Sequence, residues 1–311
     1  MDMEREPIFQ TFGLTKAYKG VKALDGASMT VYEGDIYGFV GENGAGKTTL
    51  IRLACGLIHA TEGEYSLFGV SCKDPSFNAK KKHLAAIVES VALNRAMTAL
   101  ENLRMQCKLI GVDRSDEQLN RLIEEVGLDP VAIAKKKVGG FSLGMRQRLG
   151  IAIVMVGEPK FVLLDEPMNG LDPQGFVDMR ETILRLNKQG VTFLISSHIL
   201  SELDKVCTRV GFLSHGRLLE ELSLDELHEK ARKKIIVRVA EPEKLLKQLE
   251  EALSVKETRI EGESLYIYDP LDVNEVIAFL AKEKIHVLGI YAGEETIEDY
   301  YRVLMGGEAS E

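Results

Sequence analysis

Between Gly41 and Thr48 the chain reads GENGAGKT, a glycine-rich turn that ends in a lysine and a hydroxyl residue. That spacing is the P-loop pattern. It lies between an apolar run, DIYGFVG, and a helical stretch, KTTLIRLACGL, where its chemistry requires it to be. Glycines let the backbone curl around phosphates so that amide N–H groups point at the oxygens, and the helix behind adds the positive end of its dipole. Gly41, Glu42, Asn43, Gly44, Ala45, Gly46, Lys47, Thr48 and Thr49 are the expected nucleotide contacts. Lys47 would reach the β- and γ-phosphates and Thr48 would give its hydroxyl to Mg2+.

Two further apolar runs end in groups able to act on a bound phosphate. FVLLDEP stops at adjacent carboxylates: Asp165 is expected to hold the metal, and Glu166 to polarise a water near the γ-phosphate. Two surface carboxylates are the plainer alternative, but four preceding apolar residues and the upstream P-loop weigh against it. VTFLISSH stops at His198. A lone histidine is more often structural, yet this one falls at the carboxyl end of a parallel strand, the edge where α/β sheets bind ligands. There its imidazole could donate to the γ-phosphate and hold the attacking water. GGFSLGMRQRLGIA adds a second anion-ready helix start, with the Ser142 hydroxyl and free amides near Gly144. AAIVES delivers one more carboxylate, Glu89, to the end of a short strand.

The elements that must position these groups follow from periodicity. Short β-rich runs fill residues 8 to 40, and TALENLRMQCKLIG and SDEQLNRLIEEVG read as helices with polar starts. From residue 160 strand, helix and strand alternate, which implies a parallel sheet with helices on its faces. After about residue 220 the character changes. SLDELHEKA reads as a connecting helix, and the remainder alternates as a small α+β domain of ferredoxin-like topology, its strand order open. The expected division is thus 1–220 and 221–311, with a helical subdomain over about 90–157 of the first.

Composition narrows the partners. The chain has 311 residues, 45 % of them apolar and 28 % charged, with a net charge of -9 and a pI near 5.4. This fits a globular protein and argues against a dedicated nucleic-acid binder, which needs a basic face. Cys55, Cys72, Cys107 and Cys207 are scattered, without metal or redox spacing. MDMEREPIF is no signal peptide, and no apolar run approaches the roughly 18 residues of a membrane span, so a membrane role is expected to come through a partner.

Together these residues resemble the ATP-binding subunit of an ABC transporter, over residues 8 to about 220. The motif order is the family's: the P-loop at 41–48, FSLGM as the signature, DE at 165–166, GLDP at 170–173 and His198 as the switch histidine. The resemblance implies an α/β P-loop core with an antiparallel β subdomain and a helical signature subdomain. Tyr18 falls where the family stacks adenine. A head-to-tail pair of such chains is also implied, each ATP lying between one P-loop and the other chain's Ser142 and Gly144, with Asp172 connecting the two sites. The partners would be separate permease subunits, placing the chain in the cytoplasm on the inner face of the membrane, with segment 90–110 as the docking region. Leu143 and Met145 depart from the usual signature, and Glu42 from a common proline, but none removes a catalytic group.

Most members place a glutamine where this chain has Glu89, at a position that touches Mg2+. The glutamate, with FSLGM and the following ENL, resembles the bacitracin-resistance and lantibiotic-immunity ATPases, which implies export of a peptide antibiotic or similar amphipathic substrate. The alternative is a non-transport ABC ATPase of the translation or DNA-repair type. Those usually carry two cassettes or a long coiled coil, and neither is present here. A GTPase would need an Asn-Lys-x-Asp stretch, also missing. In the C-terminal domain there is no phosphate loop, metal cluster or nucleophile motif; a stabilising extension is its expected role.

Overall fold

Continuous apolar runs become the central strands. The computed structural model describes residues 5–230 and 232–308, which divide into two units, Met1–Leu224 and Asp225–Glu311. In the first, β1 (Pro7–Tyr18), β2 (Val21–Ala27) and β3 (Thr30–Tyr32) lead to β4 (Ile36–Val40), the P-loop and α1 (Lys47–Ala54). Next come β5 (Glu62–Leu67), β6 (Val70–Ser71), α2 (Phe77–Lys80) and β7 (Leu84–Ile87). A helical stretch follows: α3 (Ala99–Ile110), α4 (Asp116–Glu125), α5 (Pro130–Ile133) and α6 (Leu143–Met155). The chain then returns to sheet through β8 (Phe161–Asp165), α7 (Pro173–Lys188), β9 (Thr192–Ser197), α8 (Leu200–Leu203), β10 (Arg209–Ser214) and β11 (Arg217–Ser223); α9 (Leu224–Lys230) starts at the last residue of this unit and belongs otherwise to the second.

Strands β11-β10-β4-β9-β8-β7 form one sheet in that order, parallel from β10 to β7 with β11 antiparallel at its edge. Every residue of β4, β8 and β9 is buried, as expected for parallel strands covered on both faces. The other sheet is antiparallel, β2-β1-β5-β6 with β3 on β1. Phe9, Val31, Phe39, Leu50, Phe161 and Leu194 belong to one core that joins both sheets to α1. The alternation read from residue 160 is therefore the parallel sheet it implied.

The helices start where short polar side chains can satisfy free amides. Thr98 with Glu101 and Ser115 with Gln118 form capping boxes on α3 and α4, and Asp129 and Ser142 cap α5 and α6. Helices α3, α4 and α6 pack on one another, and α7 joins them.

The second unit holds β12 (Lys233–Arg238), α10 (Pro242–Leu253), β13 (Thr258–Glu261), β14 (Ser264–Ile267), α11 (Val273–Lys282), β15 (Gly289–Glu294) and α12 (Ile297–Glu308). Its sheet runs β13-β14-β12-β15, all antiparallel, around Ile235, Val237, Leu245, Leu249, Leu265 and Val276. This is the split β-α-β arrangement of ferredoxin-like domains. The division falls after Leu224, one residue past the end of β11.

Candidate nucleotide-binding site

Glycine is obligatory at both ends of the P-loop. A Cβ on Gly41 would lie 2.4 Å from the Leu213 carbonyl oxygen, and one on Gly46 2.3 Å from that of Ala23, with Gly46 at φ +113°. Glu42, Asn43 and Gly44 are exposed, Ala45 is buried, and Thr49 is half-buried on the first turn of α1. Lys47 is buried, its Nζ donating to the Gly41 carbonyl and, at 3.1 Å, to that of Glu42. The ammonium is thus held by acceptors of the loop it serves.

Parallel pairing brings the other groups to the same edge. Asp165, the last residue of β8, sits beside Ser196 of β9. Its Oδ2 accepts from Thr48 Oγ1 at 2.9 Å and its Oδ1 from Ser196 Oγ at 2.6 Å. Glu166 follows with φ +49°, a left-handed conformation unfavourable for a residue with a side chain. Its N–H donates to the Ser196 hydroxyl at 3.0 Å and carbonyl at 3.2 Å, which holds that turn. The turn aims the carboxylate between two groups: Oε1 is 3.3 Å from Lys47 Nζ, and Oε2 is 2.8 Å from His198 Nδ1. Lys47, Thr48, Asp165, Glu166 and His198 therefore form one constellation. Ser196 is its unforeseen member. Its only sequence signal was its place one residue inside the end of the strand beside β8.

Thr48 and Asp165 supply the donors that magnesium takes. Mg2+ uses one or two protein carboxylates or hydroxyls and fills its octahedron with phosphate oxygens and water. Among the described residues no group of three or more His, Cys, Asp or Glu could hold a metal.

The remaining expected residues stand apart from this constellation. Ser142 caps α6, accepting from the Met145 N–H at 3.2 Å, and is exposed. Gly144 lies against Leu171 and Gly175, so the starts of α6 and α7 adjoin; Asp172 caps α7 through the Gly175 N–H at 3.1 Å. Among the described residues neither Ser142 nor Asp172 hydrogen-bonds to the P-loop. Tyr18 ends β1, 45 % exposed, with Lys16 Nζ 5.0 Å from its ring centroid. Glu89 lies past β7 at φ +61° and is paired with Arg52 of α1. It nonetheless lines, with Ile87, Val91, Arg146, Asp165 and Glu166, a cavity of about 210 Å³.

Comparison with known proteins adds to this geometry. Residues 24–169 match the family described as ABC transporter. The chain is 39 % identical to the bacitracin transport ATP-binding protein BcrA of Bacillus licheniformis, over 96 % of this chain and 98 % of that one. It is 37 % identical to the lantibiotic transport ATP-binding protein SrtF of Streptococcus pyogenes, over 68 % of this chain and 89 % of that one. Among solved structures, the ADP conformation of MJ1267, an ATP-binding cassette of an ABC transporter, aligns with a TM-score of 0.64 at 25 % identity, over 71 % of this chain and 93 % of that one.

Proposed function

Because this chain belongs to the ATP-binding, ATP-hydrolysing subunits of ABC transporters, we propose that it drives a separate membrane permease that exports a peptide antibiotic or a similar amphipathic compound. Full-length similarity to a bacitracin transport protein, extending through the second unit, supports the substrate class. Among the described residues no helix is long and apolar enough to cross a membrane. The chain would therefore sit on the inner face of the membrane through the permease.

The observation that carries the chemistry is the position of Glu166, held between Lys47 and His198 at the mouth of the P-loop. The loop amides and Lys47 bind the β- and γ-phosphates, and the Tyr18 ring stacks on adenine. Thr48 and Asp165 would hold Mg2+, with Glu89 lining the same cavity as Asp165. A Mg2+ ion held by them would supply neutralisation of the charge on the phosphate oxygens. Glu166 accepts a hydrogen bond from the attacking water and so polarises it, while His198 orients that carboxylate and reaches the γ-phosphate. Two chains pair head to tail, so that Ser142 and Gly144 of one meet the ATP of the other and Asp172 links the two sites. ATP closes the pair and hydrolysis releases it.

Expression of the tagged chain with its neighbouring genes tests this reading. A membrane-spanning protein should co-purify, and cells carrying both should tolerate more bacitracin-like peptide than cells in which Glu166 is replaced by Gln. Recovery with ribosomes or DNA, and no membrane partner, would overturn the transport assignment.

A further inference from the structure

The loop after Glu89 is bonded to the segment that leads into Ser142. The Val138 N–H donates to the Met97 carbonyl at 2.9 Å, the Gly139 N–H to the Arg95 carbonyl at 2.9 Å, and Thr98 and Lys137 form an antiparallel bridge. Residues 95–98 and 137–139 thus run together as a short ribbon. The approach at Gly139 is tight, since a Cβ there would lie 3.2 Å from the Arg95 carbonyl oxygen and would press the two segments apart by a few tenths of an ångström.

Two more contacts clamp the same loop. Asn102, on the first turn of α3, is fully buried. Its amide donates to the carbonyls of Asn94 at 3.1 Å and Thr98 at 2.8 Å, and its Oδ1 accepts from the Asn94 N–H at 2.9 Å. One side chain therefore fixes both ends of residues 94–98, and in a buried setting each of those bonds is costly to lose. On the other flank Val91 lies against Gly150 of α6, where a Cβ would come within 2.4 Å of Val91 Cγ2. The outer surface of the loop stays open: Ala92, Asn94, Arg95 and Ala96 are exposed.

We infer that Asn102 and Gly139 are positioning residues for Ser142: they make loop 91–98, segment 137–139 and the start of α6 one body. Ser142 follows Gly139 by three residues, and it begins the helix on which Val91 rests. A contact on the exposed loop then shifts the serine instead of being absorbed by a slack connection, and a slack loop leaves the serine misplaced. The inference deepens the proposed head-to-tail pairing and rests on it, because Ser142 acts on the partner's ATP.

The test separates ATP binding, which belongs to the P-loop, from turnover, which needs Ser142. Asn102→Ala, Gly139→Val and Ser142→Ala are compared for affinity and stoichiometry of a fluorescent ATP analogue on the isolated chain, and for kcat. Affinity within about twofold of the parent at full stoichiometry shows an intact fold; Gly139 is exposed, so its variant keeps the test open if loss of Asn102 unfolds the domain. The expected result is a kcat at least tenfold down in all three. If only Ser142→Ala is slow, this inference falls and the pairing stands. If Ser142→Ala turns over normally, the pairing reading falls, and this inference with it.

Discussion

The Arg52 guanidinium on α1 is ion-paired with the Glu89 carboxylate just beyond β7, 37 residues away. Both side chains are exposed, at 38 % and 63 %, so the pair is worth at most about 1 kcal/mol. The left-handed backbone at Glu89 costs a similar amount, on the order of 1 kcal/mol. A carboxylate that lines one cavity with Asp165 and Glu166 is thus held by a weak pair on a backbone of similar cost.

The proposed metal role of Glu89 would set Arg52 and Mg2+ in competition for one carboxylate, which predicts variants of opposite sign. Arg52→Gln frees the carboxylate, and the Mg2+ concentration that half-saturates ATP hydrolysis should fall by up to about fivefold, the equivalent of 1 kcal/mol. Glu89→Gln should raise that concentration and leave turnover at saturating Mg2+ near the parent value. Superimposable magnesium titrations for all three proteins would show that Glu89 does not serve the metal.

Glu166→Gln keeps the shape of the side chain between Lys47 and His198 but removes the charge that polarises water. Turnover should fall by about 10² to 10⁴, the range lost with a general base, with ATP affinity intact. Gel filtration with ATP should then show a persistent pair of chains. Near-normal turnover would remove Glu166 from its role.

The P-loop, Asp165, Glu166 and His198 could be read from the sequence because their chemistry is local: each ends an apolar run or fills a fixed spacing. Strands β8 and β9 were legible for the same reason, as unbroken apolar segments. Ser196 was not, because its role comes from lying beside Asp165 across two strands whose register no local pattern encodes. The Arg52 partner of Glu89 was hidden likewise: a helix residue and a strand end meet only after the sheet has formed. Asn102 looks like an ordinary polar residue at a helix start, and only its burial reveals three hydrogen bonds to one loop. The alternation in the second unit pointed to a ferredoxin-like topology but left its strand order open, because pairing between distant strands has no local pattern, and the buried charges within it were hidden likewise.

Lys47→Ala removes a buried cation that touches two loop carbonyls and neutralises Glu166. Charge-assisted bonds to phosphate are worth about 1.5–3 kcal/mol, so ATP affinity should weaken by roughly 10- to 150-fold. Equilibrium binding of a fluorescent ATP analogue measures this directly. Unchanged affinity would contradict the assignment of the lysine to the phosphates.

In the second unit Lys234 is paired with Asp299, each side chain about nine-tenths buried, and Thr296 donates to the same carboxylate from its N–H at 2.9 Å and its hydroxyl at 2.8 Å. Burial pushes the Asp299 carboxyl up, but the lysine and the two Thr296 bonds outweigh it and hold the group below its ordinary 3.8. A carboxyl that binds its proton less well when folded stabilises the fold fully above pH 3.8, and that contribution fades as pH falls through the lower folded value. Asp299→Asn leaves the Lys234 ammonium buried without a counter-charge and should cost about 3–5 kcal/mol at neutral pH. Urea unfolding at pH 7 should show the loss as a lower midpoint, and the gap to the parent should narrow as the pH is taken below 3.8. Equal midpoints at pH 7 would mean that the pair contributes nothing to the unit's stability.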